Sequence, residues 1–356
     1  MLVKKVSDTT SKKCVFLINT EFVLLISVLY VKFHLSEDLS PVFILIKNSK
    51  RRFANLSYES LPGDVYLYEN QLHSNILFPS KLFLDIRKLE NVNHIHFQNP
   101  QDFMNSSLVM FFRKKNPSIY ITLVSDSIAI DREILKGIKE RFVHYSRLFF
   151  RKIINRIPDI PTNTWNYHKM PFVPNELIAH KNYGYDNFIN TKTLFSKVSD
   201  NFTLLSKIYK IDEKEFSKAQ ILFFSQPNLN YTKYSEDVKR RYIDGVKNLA
   251  TLALENKVCL IIKVHPAEDP KVYYPFINEY VVVDSNSNTP AEIIINGLEN
   301  KKVVSYWSSV SMYDIFNKHK HYWLYKTIGY KLPSDINYDL IEIESSTEIE
   351  KMLFRN

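Results

Sequence analysis

Short apolar runs separated by helix-length segments dominate this chain, and they come in two series. CVFLI (14–18), VFILIK (42–47), DVYLY (64–68), NHIHF (93–97) and IYITLV (119–124) are rich in β-branched and aromatic residues, as buried strands are. Between them lie segments such as 100–115, with apolar residues at helical spacing. The second series is ILFFS (221–225), VCLIIKV (258–264), YVVVD (280–284), KVVSYW (302–307) and HYWLY (321–325), interleaved with helical patterns at 236–256, 289–298 and 308–316. Strand–helix alternation predicts parallel sheets covered on both faces. The 356 residues suffice for two such domains. The expected fold is therefore α/β, with two doubly wound Rossmann-like domains at 14–157 and 219–330. Residues 158–218, which carry Pro158, Pro161, Pro171 and Pro174 among Asn and Tyr, read as a linker region. Residues 1–13 read as a basic tail, and 331–356 as a C-terminal tail with a short helix.

Composition removes several function classes. There are only 6 glycines, and no two stand two to five residues apart, which excludes GxGxxG and GxxxxGK[ST] phosphate loops. Cys14 and Cys259 fall in apolar runs and read as buried strand residues; with no pair spacing for zinc or a disulfide framework, a reducing compartment follows. His94/His96 and His319/His321 are i, i+2 pairs on strands that lack a third ligand at metal spacing. No DxD motif occurs, so no metal is expected. Lys and Arg number 47 against 38 Asp and Glu, giving a formal charge of +9, but the basic residues are dispersed and no nucleic-acid motif appears.

Lys4, Lys5, Lys12 and Lys13 precede an apolar stretch at 14–33, the pattern of a leader or anchor. Asn19, Thr20 and Glu21 interrupt it, and Glu21 inside a bilayer would cost a few kcal/mol. The stretch is better read as a strand (14–18), a polar loop (19–21) and a helix (21–34). Residues 147–156 interleave Arg and Lys with Phe149, Phe150, Ile153 and Ile154. They read as an amphipathic domain helix, or as a surface for anionic lipid. A cytoplasmic protein, peripheral to the inner face of the membrane, is expected.

Three strand ends carry groups able to handle phosphate or protons. In KVHPAED (263–269), His265 and Pro266 follow an apolar strand. A histidine there can stabilise a phosphate leaving group, or the pair can be only a turn. In SYWSSVSMYD (305–314), Ser308 and Ser309 open a helix, as anion ligands or as a cap. In LVSDSIAID (123–131), Asp126 follows a strand, as a general base or as the cap of the next helix. Thr289, Pro290 and Glu292 have the spacing of a capping box.

The ordered set VFLINTEFVLLIS, an acidic strand end, KVHP, P-x-E-I-I-I and a serine pair resembles the bacterial sialyltransferases and polysialyltransferases of the two-domain GT-B fold, over about residues 14–325. The resemblance implies two Rossmann-like domains facing a central cleft. It also implies that His265, Pro266, Ser308 and Ser309 hold the phosphate of a CMP-sugar, that Glu292 binds ribose, and that Ser225 and Gln226 of the loop SQPN contact the nucleotide. Asn19, Thr20 and Glu21 would border the donor or acceptor sugar. Asp126 would be the base and His265 the stabiliser of the leaving group. The family's turn carries two acids and a glycine; here it reads Ser125-Asp126-Ser127, with Asp131 and Glu133 as reserves. No cofactor beyond the CMP-sugar donor is implied, and the acceptor is a glycan such as lipooligosaccharide or capsule, with a lipid-linked form among the options.

Teichoic-acid glycerophosphotransferases, which use CDP-glycerol, share YWSSVSMYD-like and His-Pro motifs, and CMP-Kdo transferases share the His-Pro and serine features. A degenerate transferase kept as a scaffold is the non-catalytic alternative, since the second acid and the glycine are missing.

Overall fold

The computed structural model describes residues 2–4, 10–47, 52–69, 85–86, 88–98, 103–125, 174–180, 182, 184–226, 235–284, 286, 289–330 and 340–355. In chain order the elements are β1 (Leu2–Lys4), β2 (Lys12–Ile18), α1 (Glu21–Phe33), β3 (Leu39–Lys47), β4 (Asp64–Glu69), β5 (Val92–Gln98), α2 (Phe103–Lys115), β6 (Tyr120–Val124), β7 (Glu176–Ala179), β8 (Phe188–Asn190), α3 (Thr191–Phe195), α4 (Phe202–Tyr209) and α5 (Glu213–Lys218). They continue with β9 (Ile221–Phe224), α6 (Glu236–Glu255), β10 (Leu260–Lys263), β11 (Val281–Asp284), α7 (Ala291–Gly297), β12 (Lys302–Ser305), β13 (Lys320–Trp323), β14 (Ile341–Glu342) and α8 (Ser346–Leu353). The chain divides into two units, Met1–Phe53 with Ser57–Leu194, and Ala54–Leu56 with Phe195–Asn356.

The first sheet has the order β1-β4-β3-β2-β5-β6-β7-β8, parallel throughout except for β1 against β4. From β2 the chain steps outward through β3 to β4, then returns to the other side of β2 with β5. β2 is central, and Cys14 through Ile18 are at most 1% exposed, as a strand covered on both faces must be. Thr20 caps α1, its hydroxyl accepting the Val23 N–H at 3.2 Å, so the polar loop predicted at 19–21 is the strand-to-helix turn.

The second sheet has the order β11-β10-β9-β12-β13-β14, all parallel. It repeats the logic: outward from β9, then back to its other side with β12. Phe224 pairs with Lys263 on one side and with Ser305 on the other, so three strands end in register. Both units are thus doubly wound α/β, as expected.

Several expectations need correction. The linker expected at 158–218 holds, in its described part, β7 and β8 of the first sheet together with α3, α4 and α5. The Ser125 N–H donates to Ile178 O at 2.9 Å, and the Ile121 N–H donates to Asn175 Oδ1 at 2.8 Å. Strands of four and three residues are too short to show a period along the chain. The expected N-terminal tail starts with β1, an antiparallel edge strand, and the C-terminal tail adds β14 as well as the short helix α8. Cys14 is buried in β2, whereas Cys259 lies just before β10 and is only half-buried. Among the described residues no helix is long and apolar enough to cross a membrane.

Burial leaves its mark on the polar groups of the first sheet. Desolvation pushes His94 down to about 4 and His96 well below the usual histidine range, so both imidazoles are neutral. Desolvation, with Glu176 adding to it, pushes the Cys14 thiol up.

In the second unit the three large rings of Phe223, Tyr242 and Tyr306 pack edge-to-face or tilted, with centroids 4.5–6.5 Å apart. Tyr306 reaches over α6 where Gly245 has no side chain, and its hydroxyl donates to Tyr242 O at 3.1 Å. A Cβ at Gly245 would run into that hydroxyl, and Tyr306 is fully buried. Gly245→Ala is therefore expected to destabilise the protein by about 1–3 kcal/mol through overpacking, read as a lower midpoint in urea at unchanged slope.

Candidate functional site

In an open α/β sheet, ligands bind outside the carboxyl ends of the strands, where the strand order reverses. In the second sheet that point lies between β9 and β12. The residues directly beyond these strands are Ser225 and Gln226 on one side and Tyr306, Trp307 and Ser308 on the other. His265 lies just beyond β10, the other neighbour of β9.

Ser225 organises this end of the sheet. Its Oγ accepts the His265 backbone N–H at 2.7 Å and donates to Glu268 Oε2. The backbone N–H of Glu268 donates to His265 O at 2.9 Å, which closes the turn KVHPAE around Pro266. Tyr273 Oη donates to the same Glu268 oxygen at 3.0 Å, and Tyr242 Oη lies 3.1 Å from Tyr273 Oη. The Gln226 N–H donates to Tyr242 Oη at 3.0 Å. Since Tyr273 gives its proton to Glu268, Tyr242 must give its own to Tyr273. A directed chain of hydrogen bonds thus runs from the Gln226 amide to the Glu268 carboxyl.

Glu268 is 2% exposed, and burial pushes its carboxyl up to about 7, with the Ser225 and Tyr273 hydroxyls pulling the other way. The sequence offered a signal for it, an acid three residues beyond the strand-end histidine, but only its neighbours His265 and Pro266 were singled out. Tyr242 and Tyr273 carried no signal, since helical and loop tyrosines are ordinary core residues.

The imidazole of His265 accepts the Ala267 N–H at Nδ1, 3.1 Å away. In the neutral ring this leaves the hydrogen on Nε2, the form that donates to an anion.

The serine pair is placed differently from expectation. The predicted helix 308–316 is a five-residue 3-10 turn, Ser309–Tyr313. Ser308 caps it, accepting the Val310 N–H at 3.3 Å, and the Ser308 N–H donates to Ser305 Oγ at 3.2 Å. The turn stops because Asp314, 6% exposed, is claimed from downstream: its carboxylate accepts the Lys318 and His319 N–H groups and pairs with His321 Nε2, each at 3.0 Å. The histidine pair His319/His321 is thereby part of a structural clamp, with His319 Nε2 2.7 Å from Ile295 O. So short a turn supplies little dipole, and Ser308 stands three residues beyond the end of β12.

Glu292 stands in the first turn of α7, but the capping box does not form. The helix begins at Ala291 with Pro290 as its cap, and no side chain caps it. The Thr289 N–H, which the box would offer to Glu292, instead points to Asn286 O at 3.4 Å. Burial pushes Glu292 up to about 7, its own backbone N–H opposing. The residue keeps partial exposure, and solvent offsets part of that burial. Asn296, one turn on, ties α7 to the 3-10 turn through Tyr313 O (2.7 Å) and the Ile315 N–H (3.3 Å).

The first unit has its own strand-order reversal, between β2 and β5, and Asn19 and Thr20 follow β2 there. The Oδ1 of Asn19 is buried and has no hydrogen-bond partner among the described residues. Glu21 is 4% exposed, pairs with Arg52 and accepts the Phe53 N–H at 3.0 Å, so it anchors the loop rather than presenting a carboxylate. Ser125 directly follows β6, whereas Asp126, Asp131, Glu133 and the basic segment 147–156 lie outside the described residues, as do Pro227 and Asn228.

The molecule is thus a protein of two doubly wound sheets, each with polar residues at its switch point. No family model and no curated protein matches the chain. Among solved structures it is similar to a UDP-N-acetylglucosamine 2-epimerase, at 6% identity and a TM-score of 0.48, over 96% of this chain and 86% of that one. It is also similar to the Methanocaldococcus jannaschii UDP-GlcNAc 2-epimerase in complex with UDP-GlcNAc and UDP, at 11% identity and a TM-score of 0.43, over 97% and 93%. Likeness at this level does not fix an activity.

Proposed function

We propose that the second unit binds a cytidine nucleotide and that the protein is an inverting, metal-independent glycosyltransferase of GT-B type. Its donor in this reading is CMP-sialic acid and its acceptor a glycan of lipooligosaccharide or capsule, with a lipid-linked acceptor suiting the basic chain. One observation carries the reading: the His-Pro turn, Ser225-Gln226 and Ser308, singled out from sequence as nucleotide contacts, all fall at or beside the switch point of the second sheet.

In this mechanism Asp126 takes the proton of an acceptor hydroxyl as that oxygen attacks the anomeric carbon from the face opposite CMP. The glycosidic bond to phosphate breaks, and the charge that collects on CMP is met by His265 Nε2–H and by the Ser308 hydroxyl. Ser225 fixes the His265 backbone and Glu268 locks the turn, so these donors are held in place before the reaction. Pro266 shapes the same turn, and Glu292 is the ribose ligand. Asn19 and Thr20 border the sugar.

The test is transfer itself. With CMP-sialic acid, CMP-Kdo and CDP-glycerol offered against a panel of glycans, mass spectrometry is expected to show a sialylated product. The Asp126→Ala variant is expected to be slower by about 10²–10⁴-fold, the contribution of a positioned base. Glycerol phosphate transfer alone would move the assignment to the glycerophosphotransferases. No product from any donor would leave the scaffold reading.

A further inference from the structure

Chain spacing gives His94 and His96 no third partner, but the sheet does. Cys14 on β2 pairs in register with His94 on β5, and the next same-face pair is Phe16 with His96. The Cys14 sulfur and one nitrogen from each ring all lie within 4.8 Å of one another. The three residues are 0%, 5% and 2% exposed. Among the described residues neither ring nitrogen of His96 has a hydrogen-bond partner, a costly state for a buried polar ring. The ring packs against Phe16 and Tyr30, with centroids 4.4 and 4.2 Å away.

His94 is oriented from behind. Its Nε2 lies 2.8 Å from Thr122 Oγ1, and that hydroxyl donates its single proton to Glu176 Oε2 at 3.0 Å. The hydroxyl must then accept from Nε2–H, which leaves the lone pair of His94 on Nδ1. A carboxylate-backed hydrogen bond that fixes the tautomer of a histidine is the outer shell expected around a metal ligand.

We propose that Cys14, His94 and His96 form a buried site for one transition-metal ion of borderline softness, Zn²⁺ in first place, which ties β2 to β5 on the face covered by Tyr30 of α1. One thiolate and two imidazoles suit such an ion and not Mg²⁺ or Ca²⁺. With metal–sulfur and metal–nitrogen bonds of about 2.3 and 2.0 Å, tetrahedral donors stand roughly 3.3–3.6 Å apart, so movements of about 1 Å close the site. Binding breaks the S–H bond of Cys14, forms a sulfur–metal bond and releases the proton to solvent. Cys14 lies five residues before Asn19 along β2, about 16 Å at strand rise. The ion is therefore structural and takes no part in transfer, so this site and the nucleotide site stand or fall separately.

The full-length protein, purified without chelator under reducing conditions, is expected to carry about one equivalent of zinc by elemental mass spectrometry. Refolded with Co²⁺, it is expected to show tetrahedral d–d bands and a thiolate-to-cobalt charge-transfer band. Cys14→Ser should lose the charge-transfer band, and His96→Phe, which keeps the ring stack, should lose the metal. A wild-type protein that holds no zinc and gives no cobalt spectrum would overturn the site. So would metal retained with its charge-transfer band in Cys14→Ser, because the ion would then sit elsewhere.

Discussion

Ser225→Ala is expected to destabilise the second unit by roughly 2–5 kcal/mol, far more than loss of an exposed hydroxyl. The His265 N–H loses the acceptor that Ser225 supplies, and Glu268 loses one donor while keeping Tyr273. A buried donor whose acceptor is removed costs about 1–3 kcal/mol, and a lost hydrogen bond to a carboxyl that keeps another donor adds about 1–2 kcal/mol. Because the Ser225 hydroxyl pulls the Glu268 carboxyl down, its removal should also raise the pH at which Glu268 ionises. Urea denaturation at two pH values reads both effects. A change below about 0.5 kcal/mol, the range of neutral surface substitutions, would show that the strand-end network contributes nothing to the fold.

The second large effect is pH dependence. Glu268 ionises near 7 in the fold, against an ordinary value of 4.5. Between those values the folded protein binds more protons than the unfolded chain, so this group's contribution to stability falls as pH rises and levels off above the folded value. A shift of that size corresponds to roughly 2–4 kcal/mol. Glu292, raised in the same direction, adds a smaller slope of the same sign. Glu268→Gln keeps a neutral group at every pH and is expected to remove most of the decline expected of wild type between about pH 5 and pH 8. Parallel stability curves for the two proteins would mean that the carboxyl is ionised in the fold and that its burial is compensated.

The strands were legible because they are continuous apolar runs: Ile221–Phe224 and Cys14–Ile18 are buried to within a few per cent and read as such from composition alone. Their order was not legible. That β9 lies beside β12, and β2 beside β5, is fixed by pairings between distant segments, and only those pairings create the switch points. Cys14 and His94 meet by the same non-local route. Local patterns misled in two places. Thr289-Pro290-x-Glu292 has the spacing of a capping box, yet the Thr289 amide is taken by Asn286 and the helix starts one residue later. SSVSMYDIF has helical spacing, yet Asp314 is recruited by residues 318–321 and the turn tightens and stops. In each case a competing partner three to seven residues away along the chain took the group that the helix signal needed. Glu268 escaped notice for the opposite reason, since its role comes from burial, which its polar neighbourhood in KVHPAED conceals.

The central claim is a cytidine nucleotide held at the carboxyl ends of β9, β10 and β12, and calorimetric titration tests it most directly. CMP is expected to bind the wild-type protein and to be preferred over UMP, UDP and CDP. His265→Ala is expected to weaken CMP binding by about 10–100-fold, the loss of one hydrogen bond to a charged phosphate. The fold should persist in that variant, since the anchor of this turn to Ser225 runs through the His265 backbone N–H, which alanine keeps. Equal CMP affinity in the two proteins, or no binding of any nucleotide, would contradict the account.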